Sequence, residues 1–374
     1  MKTPNLNRVR RLVEIGKAQN LDWILCTLPE NIFYFSGFRT MFYTRFIGVL
    51  VATRDEMAPV LIASFIDAKL IKDRIWSPHW FEKTVLFGPS ADCQFPTHWD
   101  VLKSFWDGKI RLGVDDLSYA FYAQLLKFFP KIEVQSLLND ILQIRIIKEE
   151  GEIDQIRKAS GMTEEVIAGV PGLLQHEITE ADLAAELNRA GIRAGAEALF
   201  YPTLVSCGEK MLALHSPPLH RPIRNNELVR IAFALQVDGY GSDVVRTFCR
   251  GTPPVEILPL RDAFFEAQEA IFEMLRPGRR SVDLVNKVGE IYRKRSCEKY
   301  WARNVGHGIA LTIHEPPWIA GNDETVMNEN MVVAIEPFLM VPPLGAFAHC
   351  DVVRVTAQGC ERLSPGLLRG LTVV

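Results

Sequence analysis

The sequence predicts an α/β (α+β) fold in two parts, an N-terminal layered domain over residues 1–145 and a C-terminal domain over residues 146–374. Three observations predict it. Short apolar runs alternate with helical stretches through the first third of the chain, the pattern of a sheet covered by helices. Near residue 140 a charged, helix-forming stretch interrupts that alternation. A length of 374 residues also exceeds what one hydrophobic core comfortably serves, so two domains are the natural organisation.

Each element follows from local pattern. Val9, Leu12, Val13 and Ile15 give the first stretch one apolar side, as in an amphipathic helix. The run Trp23-Ile24-Leu25-Cys26 reads as a strand, and Pro29-Glu30-Asn31 can open a short helix. The runs 46–52 and 58–64 read as buried strands, and 110–116 as a strand before a helix at 118–129. Residues 144–170 read as one long charged helix, with Ile147, Ile153, Ile156 and Met162 apolar. A second helix begins near Thr179 and carries Leu183, Leu187 and Ala190. Strand-like segments follow around 200–206, 228–237 and 244–249, with a hairpin turn at Asp238-Gly239. Helices at 257–275 and 281–297 are separated by Pro277-Gly278, and the last hundred or so residues return to strands.

Bulk properties narrow the function. A net charge of -3 offers no basic surface for nucleic acid or an anionic membrane. No apolar run is long enough to span a bilayer, and the N-terminal stretch has neither the apolar core nor the cleavage site of a signal peptide. Seven dispersed cysteines without a CxxC pair suit reduced thiols, so a cytoplasmic protein is expected.

The chemistry concentrates in the second half, where polar residues are embedded in apolar strands. Glu336 follows Val332-Val333-Ala334-Ile335, and Asp243 precedes Val244-Val245. A lone buried carboxylate is costly, so such residues are paired, hydrogen-bonded or metal-bound. His307 lies between two glycines, where backbone can approach a ligand. His307 and His314 are seven apart, so a turn is needed to aim both the same way.

In order and spacing, the segments 206-SCGEKMLALHSP-217, 228-LVRIAFALQVDGYGSDVVRTF-248, 306-GHGIALTIHEPP-317, 331-MVVAIEP-337, 346-AFAHCDVVRVT-356 and 359-GCERLS-364 resemble the creatinase, prolidase and aminopeptidase P group of pita-bread hydrolases. Segment 29-PENIFYFSGF-38 resembles that group's N-terminal domain, and 144–159 its linker helix. The resemblance implies five ligands for two metals. Asp243, His307 and Glu336 match three of them, while the remaining positions fall on Ala232 and Cys350, or His349 after a one-residue slip. It therefore implies no two-metal centre, and either no metal or one zinc, iron or manganese ion held by Asp243, His307, Glu336 and Cys350. By the same resemblance His215, His314 and Glu336 are catalytic, with His215 exchanging protons. Arg45, Tyr240 and His349 bind substrate, Arg45 from the neighbouring subunit of a homodimer. The expected activity is C–N bond hydrolysis in a small, carboxylate-bearing non-peptide substrate, with lyase chemistry also open. The alternatives are an Xaa-Pro aminopeptidase or prolidase running on one metal, and a non-catalytic binding module.

Overall fold

The computed structural model describes residues 6–54, 57–73, 81–364, 366 and 370–374, so residues 1–5 of the first helical stretch lie outside the description. The chain divides into two compact units, Met1–Arg145 and Ile146–Val374.

The first unit is built on one six-stranded sheet. Its strands are β1 (Trp23–Cys26), β2 (Gly48–Ala52), β3 (Val60–Ser64), β4 (Lys83–Phe87), β5 (Ile110–Val114) and β6 (Ile132–Ser136), in the spatial order β4-β3-β2-β1-β5-β6. β1 runs parallel to β5 and antiparallel to β2. All five residues of β2 and of β3 are buried, as expected of continuous apolar runs covered on both faces. Helices His98–Phe105 and Tyr119–Phe128 pack Trp99, Leu102 and Leu125 against this sheet, and each begins at a hydroxyl cap, Thr97 or Ser118.

The long charged helix read over 144–170 is two helices, Leu138–Ile146 and Glu150–Ile167. Tertiary contacts override the local pattern. The Lys148 amide bonds the Asn330 carbonyl, and its ammonium is buried 2.8 Å from Glu315 Oε1. Ile147 bridges Met331 as a strand residue would. Glu149 then restarts the helix from an extended conformation through a capping box with Glu152.

Among the described residues the second unit contains two larger sheets and two smaller ones. Its strands continue as β7 (Ala198–Leu199), β8 (Leu204–Cys207), β9 (Glu227–Phe233), β10 (Leu235–Val237), β11 (Tyr240–Gly241), β12 (Val244–Arg250), β13 (Asn304–Gly308), β14 (Glu315–Ala320), β15 (Val332–Ile335), β16 (Phe338–Val341), β17 (Gly345–Ala348), β18 (Asp351–Thr356), β19 (Gly359–Arg362) and β20 (Thr372–Val373). One sheet has the order β20-β12-β9-β8 and the other β14-β13-β15-β18-β19, while β7, β10 and β11 form a small third sheet. A single bridge, Val245 to Cys350, joins β12 to the start of β18. β10 and β11 close through Asp238 and Gly239, both at positive φ, the conformation of a two-residue hairpin turn. Helices Glu150–Ile167 and Glu180–Arg193 contribute to one apolar core, while Ile257–Met274 and Ser281–Lys294 contribute Phe264, Ile271, Leu284 and Val288 to the other.

Candidate active site

A cleft of about 740 Å³ opens in the second unit, lined from both larger sheets. β9 and β12 supply Arg230, Ala232 and Val245, and β13 supplies His307. Asp243 stands just before β12, and Glu336 just after β15 with its amide bonded to the Val305 carbonyl at 2.7 Å. The turn between β13 and β14 brings His314 back to His307, ring centroids 4.4 Å apart. That is the intervening turn their spacing demands.

Donor atoms of Asp243, His307 and Glu336 all lie within 4.8 Å of one another, the one such group among the described residues. His307 Nδ1 sits 3.1 Å from the Gly308 carbonyl, which places the proton on Nδ1. Its Nε2 is buried without a hydrogen-bond partner and stands 3.8 Å from Asp243 Oδ2. Tyr201 Oη donates to Asp243 Oδ1 at 2.8 Å, and burial plus the Asp243 charge keep this phenol protonated by pushing its pKa up. Burial, and then the Asp243 charge, push the Glu336 carboxyl well above its usual range, with Arg230 pulling the other way. Two crowded carboxylates facing an unpartnered imidazole nitrogen are a donor set that fits one cation.

The glycines around His307 serve strand packing. A side chain at Gly306 would put its Cβ 2.0 Å from the Ala334 carbonyl oxygen, and one at Gly308 would meet the Pro316 oxygen at 2.2 Å. Ala232 faces the cleft directly opposite Val245, so the hairpin offers one carboxylate there, Asp243.

The remaining candidates divide. His215 and His314 line the cleft and are exposed to it. Burial and then His307 hold His314 below its ordinary pKa. His349 is corrected: it is 3% exposed, its Nε2 accepts from the Thr247 amide, and its ring stacks on Phe347 and against Phe265. Burial, then Arg246, keep it neutral, and it belongs to the core. Tyr240 is also turned away from the cleft, because its hydroxyl donates to Glu152 on the neighbouring helix. Burial, and then the charges of Asp243 and Glu336, raise the Cys350 thiol pKa, but Cys350 is not one of the three converging donors. Arg45 lies in the first unit, where it lines a separate cleft with Tyr43, Phe46 and His98.

Two lining residues escape the sequence reading. Tyr201 falls in the segment read only as strand-like, and it sits in the bend before β8. Arg230 carries a visible one, a lone guanidinium inside the apolar run Leu228–Leu235.

Comparison with known proteins fits this geometry. The model of metallopeptidase family M24 matches residues 154–357, and that of the creatinase/prolidase N-terminal domain matches 8–147. The chain is similar to an Xaa-Pro dipeptidase from Pyrococcus furiosus, 26% identical over 358 residues that cover 96% of this chain and 97% of that protein. A putative dipeptidase from Bacillus subtilis is 25% identical over 369 residues, covering 96% and 98%. Among solved structures, the prolidase from Pyrococcus horikoshii superposes with a TM-score of 0.86 at 24% identity, covering 96% and 98%. An X-Pro aminopeptidase from Thermotoga maritima gives 0.83 at 23% identity, covering 96% and 100%. A family match over more than half the chain, with the pita-bread architecture beneath it, places this protein in metallopeptidase family M24, behind a creatinase/prolidase N-terminal domain.

Proposed function

We propose that this chain is a single-metal hydrolase of the Xaa-Pro dipeptidase type, cutting the C–N bond of a small peptide in the domain 146–374, with 1–145 as its accessory domain. The observation that carries this is the convergence of Asp243, His307 and Glu336, with His307 Nε2 left free by the bond at Nδ1. The similarity to an Xaa-Pro dipeptidase over nearly the whole chain favours a peptide over the non-peptide substrate that the sequence reading puts first.

Asp243, His307 and Glu336 would hold the divalent ion, and such an ion supplies Lewis acidity and a more acidic bound water. Tyr201 fixes the Asp243 carboxylate by its hydrogen bond. His215 and His314, both open to the cleft, would carry a proton to the departing nitrogen. The apolar walls, among them Leu204, Leu214, Ile313 and Phe338, hold the body of the substrate and keep water from it.

A second reading keeps the non-peptide C–N substrate, and one observation favours it. Ala232 stands where the family resemblance calls for a chelating acid, so a second ion loses a ligand. One experiment separates the two readings. Protein purified without added metal is analysed for metal, stripped with a chelator, and assayed on Xaa-Pro dipeptides while Mn²⁺, Zn²⁺ or Fe²⁺ is returned. The proposal expects one ion per chain and activity that returns with one equivalent. Two tightly held ions, or peptide hydrolysis indifferent to chelation, would defeat it.

A further inference from the structure

One cation in the cleft has no place in the metal chemistry. Arg230 is 4% exposed, and it is the only arginine or lysine among the described residues that line the cleft. It occupies the same face of β9 as Ala232, two residues away. One of its terminal nitrogens donates to the Leu214 carbonyl, and its Nε is buried without any partner. No carboxylate among the described residues lies within ion-pair distance of it, although Glu336 is near enough to act on it through its field. A buried guanidinium with a single backbone acceptor is an expensive arrangement unless an anion completes it.

Arg246, on the adjacent strand, shows what a structural arginine looks like in this fold. Its guanidinium reaches Glu164 Oε1 at 2.6 Å, Asp351 Oδ1 at 2.7 Å and the Cys350 carbonyl at 2.6 Å. Arg230 has no such company. The cleft that Arg230 lines has apolar walls, among them Leu204, Leu214, Ile313, Trp318 and Phe338, while Glu336 and Tyr201 act on its charge.

We propose that Arg230 is the anchor for the carboxylate of the substrate, so that the cleft selects small anions with an apolar body, such as a peptide with a free C-terminus. This rests on the reading of the cleft as the active site, but not on which bond is cut there. A planar guanidinium matches a carboxylate with two parallel hydrogen bonds, and neither a C-terminal amide nor an ester offers the same charge.

The test is binding to the metal-loaded protein, followed by titration calorimetry. L-Proline and 3-phenylpropanoate are each compared with the corresponding primary amide. At least one carboxylate should bind about 30-fold or more tightly than its amide. Arg230→Leu should erase that preference while leaving metal content and circular dichroism unchanged, and Arg230→Lys should keep part of it. The proposal is overturned if the native protein shows no preference for either acid. It is equally overturned if Arg230→Leu retains the preference, because the metal would then be holding the carboxylate. Should Arg230→Leu fail to fold, Arg230→Lys decides: a single point charge in place of the fork must weaken acid binding and leave amide binding alone, and an unchanged ratio rejects the anchor. Failure of peptide hydrolysis with an intact Arg230-dependent acid preference would instead overturn the Xaa-Pro reading and leave the anchor standing.

Discussion

Asp243 and Arg246 stand three residues apart on the same hairpin, yet their surroundings treat charge in opposite ways. Around Arg246 the charges close on themselves. One buried guanidinium lies between Glu164 and Asp351 and also donates to the Val245 and Cys350 carbonyls. Around Asp243 they stay open, with two carboxylates, an imidazole nitrogen lacking a partner and a cleft above them. Both neighbourhoods are buried polar sites in one domain and are reached by the same strand. The lesson is that burial of charge does not by itself mark function; carboxylates left without a cation beside an unpartnered nitrogen, at the wall of a cleft, do.

The sharpest way to break this comparison is to neutralise the open site. Asp243→Asn keeps the size and an oxygen for Tyr201 but removes a charged ligand. We expect metal binding to weaken and hydrolysis to fall by about 10³-fold or more, as for loss of direct metal-ligand chemistry. The denaturation midpoint of the metal-free protein should hold or rise, because the charge that pushes on Glu336 is gone. A collapse of metal-free stability would mean that Asp243 is structural.

The complementary change is Arg246→Met. It removes the hub and leaves Glu164 and Asp351 buried without their shared cation, an arrangement that costs about 3–5 kcal/mol when one partner is deleted. Urea denaturation should show a loss of that order. A loss below about 1 kcal/mol would reduce Arg246 to a bystander.

These two neighbourhoods were not equally legible in the sequence. Asp243, His307 and Glu336 are acids and a histidine set into apolar strands, and their order along the chain matches a known arrangement, so they can be read before any fold is seen. The helices at Glu180–Arg193, Ile257–Met274 and Ser281–Lys294 and the turn at Asp238-Gly239 follow from periodicity and caps in the same way. What escapes depends on contacts remote in sequence. The helix break at Ile147–Glu149 is set by Lys148 meeting Glu315, 167 residues away, and no local pattern carries that. Tyr201 reaches Asp243 across 42 positions from an irregular loop. His349 fails for a subtler reason. It sits between β17 and β18 and packs on Phe347 and Phe265, so a side chain beside the site in sequence can point wholly into the core.

His349 also supplies the smallest test, which turns on the closed side of the comparison. In the folded chain its pKa lies well below 6.5, chiefly from burial and then from Arg246, whereas in the unfolded chain it returns to about 6.5. Below that pH the unfolded state takes up a proton that the folded state refuses, so it binds more protons and stability rises with pH there. Acidification from pH 7.5 should therefore begin to destabilise the protein near pH 6.5, with the penalty growing as pH falls further. His349→Phe keeps a ring against Phe347 and Phe265 but removes the titration, at the cost of the acceptor for the Thr247 amide. We expect it to be less stable than the native chain at pH 7.5, and to lose less of that stability between pH 7.5 and pH 5. Parallel stability curves over that range would show that this imidazole is protonated in the fold, and that the charges around Arg246 are less closed than the geometry indicates.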